Sequence, residues 1–199
     1  SAPASSNAVI QNEAIQDIKT RNAIDGGDLL QSINGIQSIR KGGHGLDPVI
    51  RGQSDQRLNT FIGGAMIYGG CSTKMDVGST YANVESFDTT TVIKGTQSVI
   101  YGAGGPGGIV SYDRVTEPFG GPAAKGQASV SPFKIKIGQT FDSNAETKTS
   151  IADITYSTGR SYLRYNLGYT DSGNYETGTG IKPKTEYRTS NNAITYGSR

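Results

Sequence analysis

Two sulfur-bearing side chains in one glycine-bounded segment are the residues of this sequence best suited to specific chemistry. Cys71 and Met75 stand four residues apart in Gly70-Cys-Ser-Thr-Lys-Met-Asp76. A thiolate and a thioether within reach of one ion form a soft ligand set, and such ligands select Cu(I). The spacing therefore indicates half of a soft-metal site. The same residues also fit a structural role, because Cys is often a small buried hydrophobe and Met often fills core gaps.

The single histidine does not complete a catalytic or metal-binding set. His44 lies in the glycine-rich segment Lys41-Gly-Gly-His-Gly45, and we interpret it as a solvated loop residue. A thiol protease would need a nucleophile, a base and an orienting group in a matching context, and neither Cys71 nor His44 has one. No acid/base pair or activated nucleophile is apparent, so we do not expect an enzyme.

A glycine-rich segment matches a nucleotide-binding pattern in form only. Gly102-Ala-Gly-Gly-Pro-Gly107 fits G-x-G-x-x-G. A dinucleotide site would need a helix at the last glycine and an acidic residue about 20 positions later. The segment leads instead into Ile109-Val-Ser-Tyr112, which is a strand sequence, and the region around Gln127 offers no acid. We interpret these glycines as residues that permit sharp turns.

Composition favours a turn-rich β protein over a compact α/β enzyme. Of 199 residues, 28 are Gly, 11 are Tyr and none is Trp, and hydrophobic residues make up only 34%. The net charge is +2, and the basic residues are scattered rather than clustered, so no nucleic-acid partner is expected. One cysteine allows no internal disulfide. No apolar run approaches the roughly 20 residues of a transmembrane helix, but a membrane β-barrel remains compatible with the sequence.

The elements around Cys71 and Met75 are short. Residues 1–12 read as a flexible leader, Ile24-Asp-Gly-Gly-Asp28 starts a helix, and Asn34-Gly35 stops it. Gly63-Gly64 indicates a two-residue hairpin, and residues 69–81 read as a loop. The remaining extended segments are 36–40, 47–52, 58–62, 65–68, 89–94, 98–101 and 109–115. This pattern predicts a small α+β unit with a mixed sheet, short helices and long loops.

A second region follows a change of composition near Pro118. In residues 162–170 the side chains alternate, with Leu163, Tyr165, Leu167 and Tyr169 on one face. A short turn at 157–160 and a long polar loop at 171–184 are typical of outer-membrane barrels. A soluble antiparallel sheet explains the alternation equally well. The predicted strands are 126–139 with a bulge at Pro132, 149–156, 162–170 and 185–196.

Several ordered motifs resemble the plug of a TonB-dependent outer-membrane receptor. Thr91-Val-Ile-Lys-Gly-Thr-Gln-Ser-Val-Ile-Tyr-Gly102 with Gly107-Gly-Ile-Val110 is similar to the family's strand, turn and strand. Asp28-Leu-Leu-Gln-Ser-Ile-Asn-Gly-Ile36 resembles its first plug helix, and Asp47-Pro-Val-Ile-Arg-Gly52 follows in the expected order. Thr96 departs from the usual proline of the turn.

The resemblance implies an architecture, a partner and a location. We expect a flexible leader at 1–24, an α+β plug at 25–119, and the first antiparallel strands of a transmembrane β-barrel at 120–199. The family's barrel has about 22 strands. Since an open sheet edge has no place in lipid, the rest of the barrel would lie beyond Arg199. The implied partners are the energy-coupling protein TonB and the lipid of the Gram-negative outer membrane. No convincing TonB box is visible.

One branch of the family bears on the substrate. Gly63-Gly-Ala-Met-Ile-Tyr-Gly-Gly-Cys-Ser-Thr-Lys-Met-Asp76 resembles a loop of the outer-membrane copper receptors, in which the Cys-x-x-x-Met pair supplies two copper ligands. By position, Cys71 and Met75 carry over. That branch takes its other ligands from a His-x-Met pair, which this sequence lacks. The resemblance implies a copper importer; a siderophore receptor of the same fold, or more remotely a non-transporting β-rich surface binding protein, is the alternative.

Overall fold

The computed structural model describes residues 8–11, 23, 25–41, 45–71, 75–82, 86–95, 101–114 and 131–198. The chain divides into two compact units, Ser1–Arg114 and Val115–Arg199. Expectations for His44, Thr96, residues 98–100 and the start of the strand before Pro132 lie outside the described residues. The limits at residues 24 and 119 remain predictions, although the contact boundary falls near the second of them.

The first unit is a small mixed α+β domain, as predicted. It contains a five-stranded sheet in the order β1-β6-β7-β4-β5 and a two-stranded sheet of β2 and β3. Its strands are β1 (Ala8–Gln11), β2 (Ile36–Arg40), β3 (Leu46–Ile50), β4 (Leu58–Ile62), β5 (Ala65–Ile67), β6 (Thr89–Lys94) and β7 (Gly108–Asp113). Among the residues described, its helices are α1 (Gly26–Leu30) and two short 3-10 helices, Asp55–Arg57 and Gly78–Tyr81.

The first strand corrects one prediction. We expected residues 1–12 to be a flexible leader, but Ala8–Gln11 pair antiparallel with Thr89–Val92 of β6. Four residues are too few to show an alternating pattern. The strand forms because it pairs with the β-branched strand β6, which lies about 80 residues later in the chain. By contrast, β4 and β7 pair in parallel, which requires a long crossover between them.

The helix α1 starts where the sequence predicted and is shorter than expected. Asp25 is its N-cap, and the carboxylate accepts a hydrogen bond of 2.9 Å from the Asp28 N–H. The helix ends at Leu30, so Ile33 lies beyond it yet still packs against the core. The predicted hairpin is confirmed, since Gly63 and Gly64 both have positive φ, as a type I′ turn requires.

The first unit has one continuous apolar core. This core joins the last turn of α1 to the sheets and to the loop residues Ala82 and Phe87. Tyr112 is fully buried at the centre, where its ring packs at 6.0 Å from that of Phe87. The other buried core members are Leu29, Leu30, Ile36, Ile50, Leu58, Val92 and Val110.

The second unit is a four-stranded antiparallel sheet with long strands. The order is β11-β10-β9-β8, with β8 (Phe133–Asp142), β9 (Thr147–Ser157), β10 (Ser161–Ser172) and β11 (Tyr187–Ser198). The predicted alternation is confirmed in β10, where Leu163 and Tyr165 are exposed while Arg164 and Asn166 are buried. The short turn before β10 and the long loop after it are also confirmed.

Within the described residues, no helix has both the length and the apolar content needed to cross a membrane.

A candidate metal-binding loop

Cys71 and Met75 lie on two chain segments, residues 69–71 and 75–76, that we call the two arms of the sulfur loop. The first arm follows β5 and the second precedes the second 3-10 helix, and residues 72–74 are outside the described part of the chain. Strand β5 is fixed by antiparallel pairing with β4, so the loop begins from an anchored position. The other end is anchored by the 3-10 helix.

A carboxylate ties the two ends of the sulfur loop together. The Gly70 N–H donates a hydrogen bond of 3.2 Å to Asp76 Oδ2. The Tyr81 hydroxyl donates to the same oxygen. This hydrogen bond to the carboxylate raises the pKa of Tyr81, because it stabilises the protonated phenol. One oxygen thus joins both arms of the loop to the helix that follows.

The loop closure leaves no room for a side chain at Gly69. A Cβ at Gly69 would lie 2.1 Å from the Asp76 carbonyl oxygen, and one at Gly70 would lie 3.0 Å from Asp76 Oδ2. The first distance is far below van der Waals contact with a backbone atom. Glycine at position 69 is therefore a steric requirement of the closure, whereas the contact at Gly70 involves only the end of a side chain.

The two sulfur residues remain accessible in this arrangement. Met75 is 60% exposed and Cys71 is intermediate in exposure. Met75 is therefore not a core residue, and the interpretation of this side chain as a gap-filler is wrong. Within the described ranges, no group of three or more His, Cys, Asp or Glu side chains is placed to hold a metal ion.

The 3-10 helix that follows the second arm is fixed to the core by hydrogen bonds. Ser79 Oγ donates to the Leu46 carbonyl at 2.9 Å, and the Leu46 N–H donates to Asp25 Oδ2 at 3.0 Å. Val77 is buried, and the Thr80 hydroxyl donates to its carbonyl at 2.7 Å. The sulfur loop is thereby connected through β3 to the start of α1.

Asp25 is an unusual residue at the end of that connection. It is 3% exposed, and burial raises its pKa to about 6, against the opposing effect of the hydrogen bonds from Asp28 and Leu46. Burial also raises the pKa of Tyr112. A Cβ at Gly26 would lie 2.5 Å from Tyr112 Oη, so the phenol fits directly beneath the first turn of the helix.

A cleft of about 290 Å³ adjoins the sulfur loop. It is lined by Gly69 and Gly78 from the loop side, and by Asp47, Met66 and Tyr68. The Tyr68 hydroxyl donates to Met66 Sδ at 2.8 Å. Burial raises the pKa of Asp47, while the Asp55 N–H and the Lys41 ammonium, 3.8 Å away, oppose that effect.

Sequence reasoning found part of this site and missed the rest. It identified Cys71 and Met75, and the structure holds them on opposite arms of one closed loop. It missed Tyr81, whose role depends on a contact five residues distant, and Ser79, whose partner is 33 residues away. The one signal for Tyr81 in the sequence is its position five residues after Asp76.

The glycine-rich segment before β7 forms turns, as predicted. Gly102, Gly104 and Gly105 all have positive φ. Asn59 Nδ2 donates to the carbonyl of Tyr101 at 3.1 Å and to that of Ala103 at 3.4 Å, so this segment is tied to β4. The segment leads into strand β7 rather than a helix, which excludes the dinucleotide arrangement.

Comparison with known proteins adds a family and several structural neighbours. Residues 2–109 match the model of the TonB-dependent Receptor Plug Domain. The copper transporter OprC aligns over 97% of this chain with 29% identity and a TM-score of 0.83. No curated protein matches the sequence.

Two other neighbours share the fold at lower identity. The hemophore receptor HasR of Serratia marcescens, solved with HasA and heme, covers 98% of this chain at 22% identity and a TM-score of 0.77. The FrpB iron transporter from Neisseria meningitidis covers 98% at 16% identity and a TM-score of 0.74. The alignments span 28% of the OprC chain and 29% of each of the other two chains.

Proposed function

We propose that this chain is part of a receptor that captures copper at Cys71 and Met75. The chain belongs to the TonB-dependent receptor family, because the plug model matches more than half of it. Receptors of this family are outer-membrane β-barrel proteins of Gram-negative bacteria. The observation that carries the proposal is the closed sulfur loop, which presents a thiol and an exposed thioether from its two arms.

The ligand chemistry supports copper over harder ions. A thiolate and a thioether bind Cu(I) in preference to Fe(III), which favours oxygen donors. Similarity to the copper transporter OprC, at 29% identity over 97% of this chain, supports the same substrate. The iron and heme receptors among the neighbours are 22% identical or less and therefore support the fold alone.

Capture requires ligand binding and one proton transfer, with no bond broken in the substrate. The Cys71 thiol loses its proton as the sulfur binds Cu(I), because the thiolate is the ligand. Met75 needs no such step, since its thioether is neutral. Cu(I) accepts two to four soft ligands, and we propose that other parts of the receptor supply donors beyond these two.

Import would then follow the family's scheme. Energy for release into the periplasm would come through TonB, acting on the segment before the plug. The long strands β8–β11 would contribute to the barrel wall, with their exposed apolar rows against lipid.

A ferric siderophore remains the second candidate substrate. Two exposed tyrosines, Tyr68 and Tyr81, flank the sulfur loop, and aromatic side chains at a plug surface suit an iron chelate. In that case the chelate would contact the tyrosines, and Cys71 would not affect affinity.

Titration of the purified receptor in detergent with Cu(I), against a competing chelator, tests the proposal. Cys71→Ser and Met75→Ala should each lower Cu(I) affinity by at least about 10-fold. Unchanged affinity in both variants would contradict the copper assignment. Parallel titration with ferric chelates tests the second candidate, and growth under copper or iron limitation checks which substrate is imported.

A further inference from the structure

We propose that Asp76 is a positioning residue that clasps the sulfur loop shut and so holds Cys71 and Met75 in binding geometry. This inference rests on the proposed copper function and assigns a role to a residue that need not touch the metal. The clasp consists of Asp76, the Gly70 N–H and the Tyr81 hydroxyl.

The position of the clasp relative to the ligands is the main argument. Gly70 and Asp76 are joined, and the two sulfur residues are each the next residue inside the closure. Consecutive Cα atoms are about 3.8 Å apart, so closing the outer pair restricts the separation of the inner pair. Opening the clasp would release both ligands at once.

The carboxylate is already committed to this closure. Oδ2 accepts from both the Gly70 N–H and the Tyr81 hydroxyl. A carboxylate oxygen is also a poor ligand for Cu(I). Nor does Asp76 cap the following 3-10 helix, because its N-cap is Val77 and no side-chain capping bond is formed.

The steric fit gives independent support for the closure. Gly69 approaches the Asp76 carbonyl so closely that a Cβ would lie 2.1 Å from its oxygen. This contact involves backbone rather than the carboxylate. A residue larger than glycine at this position would push the arms apart while leaving every polar group of the clasp in place.

The energetic consequence is preorganisation. Two ligands on an open loop lose conformational freedom when they converge on one ion, and that cost reduces affinity. A loop that is closed by its own hydrogen bonds loses this freedom during folding, before any ion binds. Second-shell groups that orient metal ligands typically change affinity by about 10- to 100-fold when removed.

The test compares Cu(I) affinity of the detergent-purified receptor across matched variants. Asp76→Ala should weaken binding about 10- to 100-fold. Asp76→Asn keeps an oxygen acceptor and should restore most of the affinity, and Tyr81→Phe should give a partial loss. Gly69→Ala should behave like Asp76→Ala. Gly178→Ala is the glycine control, because a Cβ there meets nothing within 4 Å.

A spectroscopic readout separates positioning from coordination. At saturating Cu(I), X-ray absorption of Asp76→Ala should show the same number of sulfur ligands as the parent, because both sulfurs remain. If Asp76→Ala instead loses the signal of an oxygen ligand, and Asp76→Asn does not recover it, the carboxylate binds the metal and the proposal is overturned.

Other outcomes also decide the matter. Parent-like affinity in Asp76→Ala, or in both Tyr81→Phe and Gly69→Ala, would overturn the clasp. Tyr81 is 47% exposed, so its variant should fold even if Asp76→Ala does not. If Cys71→Ser and Met75→Ala bind copper as the parent does, it is the proposed function that fails, whatever the clasp variants show.

Discussion

The first unit of this chain encloses a buried apolar core, whereas the second unit leaves many of its large apolar side chains exposed. In the plug unit, Leu30 and Val110 are 0% exposed and belong to one continuous core. In the four-stranded sheet, Ile137 is 78% exposed and Ile194 is 73% exposed. A closed apolar core is typical of a globular domain, whereas exposed apolar rows on long strands are typical of a sheet that faces lipid.

The sheet buries two polar pairs on the face opposite its exposed apolar rows. Arg164 Nε donates to both carboxylate oxygens of Asp153 at 3.0 and 3.1 Å, and Nη2 donates at 2.5 Å. The hydroxyls of Thr147 and Ser172 are 2.7 Å apart on the same sheet. The plug instead uses its buried carboxylate, Asp25, to satisfy backbone N–H groups.

The largest expected effect is on the buried ion pair of the sheet. Asp153→Ala should lower the free energy of unfolding by about 3–5 kcal/mol, because the buried Arg164 loses the carboxylate that faces it. Urea unfolding of the receptor in detergent, followed by circular dichroism, measures the change. The matched control is Asp171→Ala, whose partner Arg188 is 74% exposed, and this variant should not change stability measurably. Equal effects in the two variants would contradict the contrast between buried and exposed pairs.

Shortening one apolar side chain in each unit tests the contrast between the buried core and the exposed apolar rows. Leu30→Ala should destabilise the plug by about 2–5 kcal/mol, because it leaves a cavity in a packed core. Leu167→Ala, at a position 39% exposed, should cost less, since detergent or lipid can fill the space. Hydrogen exchange of the amides in α1 and β10 gives the two local stabilities. A larger loss for Leu167 than for Leu30 would show that the sheet packs its apolar face against protein.

The third prediction concerns pH and the plug alone. The pKa of Asp25 is about 6 in the folded chain and 3.8 ordinarily, so the folded state holds this proton more tightly. The resulting stabilisation is fully present below the ordinary pKa and is lost as pH rises through 6. The difference corresponds to about 3 kcal/mol.

Hydrogen exchange at the Leu46 amide, corrected for intrinsic rates, reports this change because that N–H donates to Asp25. Opening should become easier between pH 4 and 7 in the parent and show a weaker dependence in Asp25→Asn. Opening that becomes harder with rising pH would show that the carboxylate is stabilised in its ionised form.

The fold was largely predictable because its signals are local. The Gly63-Gly64 hairpin, the Asp25–Asp28 helix start and the alternation of β10 each follow from residues that are neighbours in sequence. The strand β1 was missed because Ala8–Gln11 become a strand only through β6.

The candidate site divides in the same way. The Cys71 and Met75 spacing is visible in the sequence, whereas the Tyr81 contribution and the Ser79–Leu46–Asp25 connection need the folded backbone. The exposure of Met75, which decides against a core role, also appears only in the structure.

The most direct test of the central claim is to locate the metal itself. Crystals of the receptor loaded with Cu(I) under anaerobic conditions should give one strong anomalous peak at the copper edge, bridging Cys71 Sγ and Met75 Sδ at the sulfur loop. The peak should be absent from crystals of Cys71→Ser treated identically. A peak elsewhere on the receptor, or one that persists in the variant, would contradict copper capture by this loop.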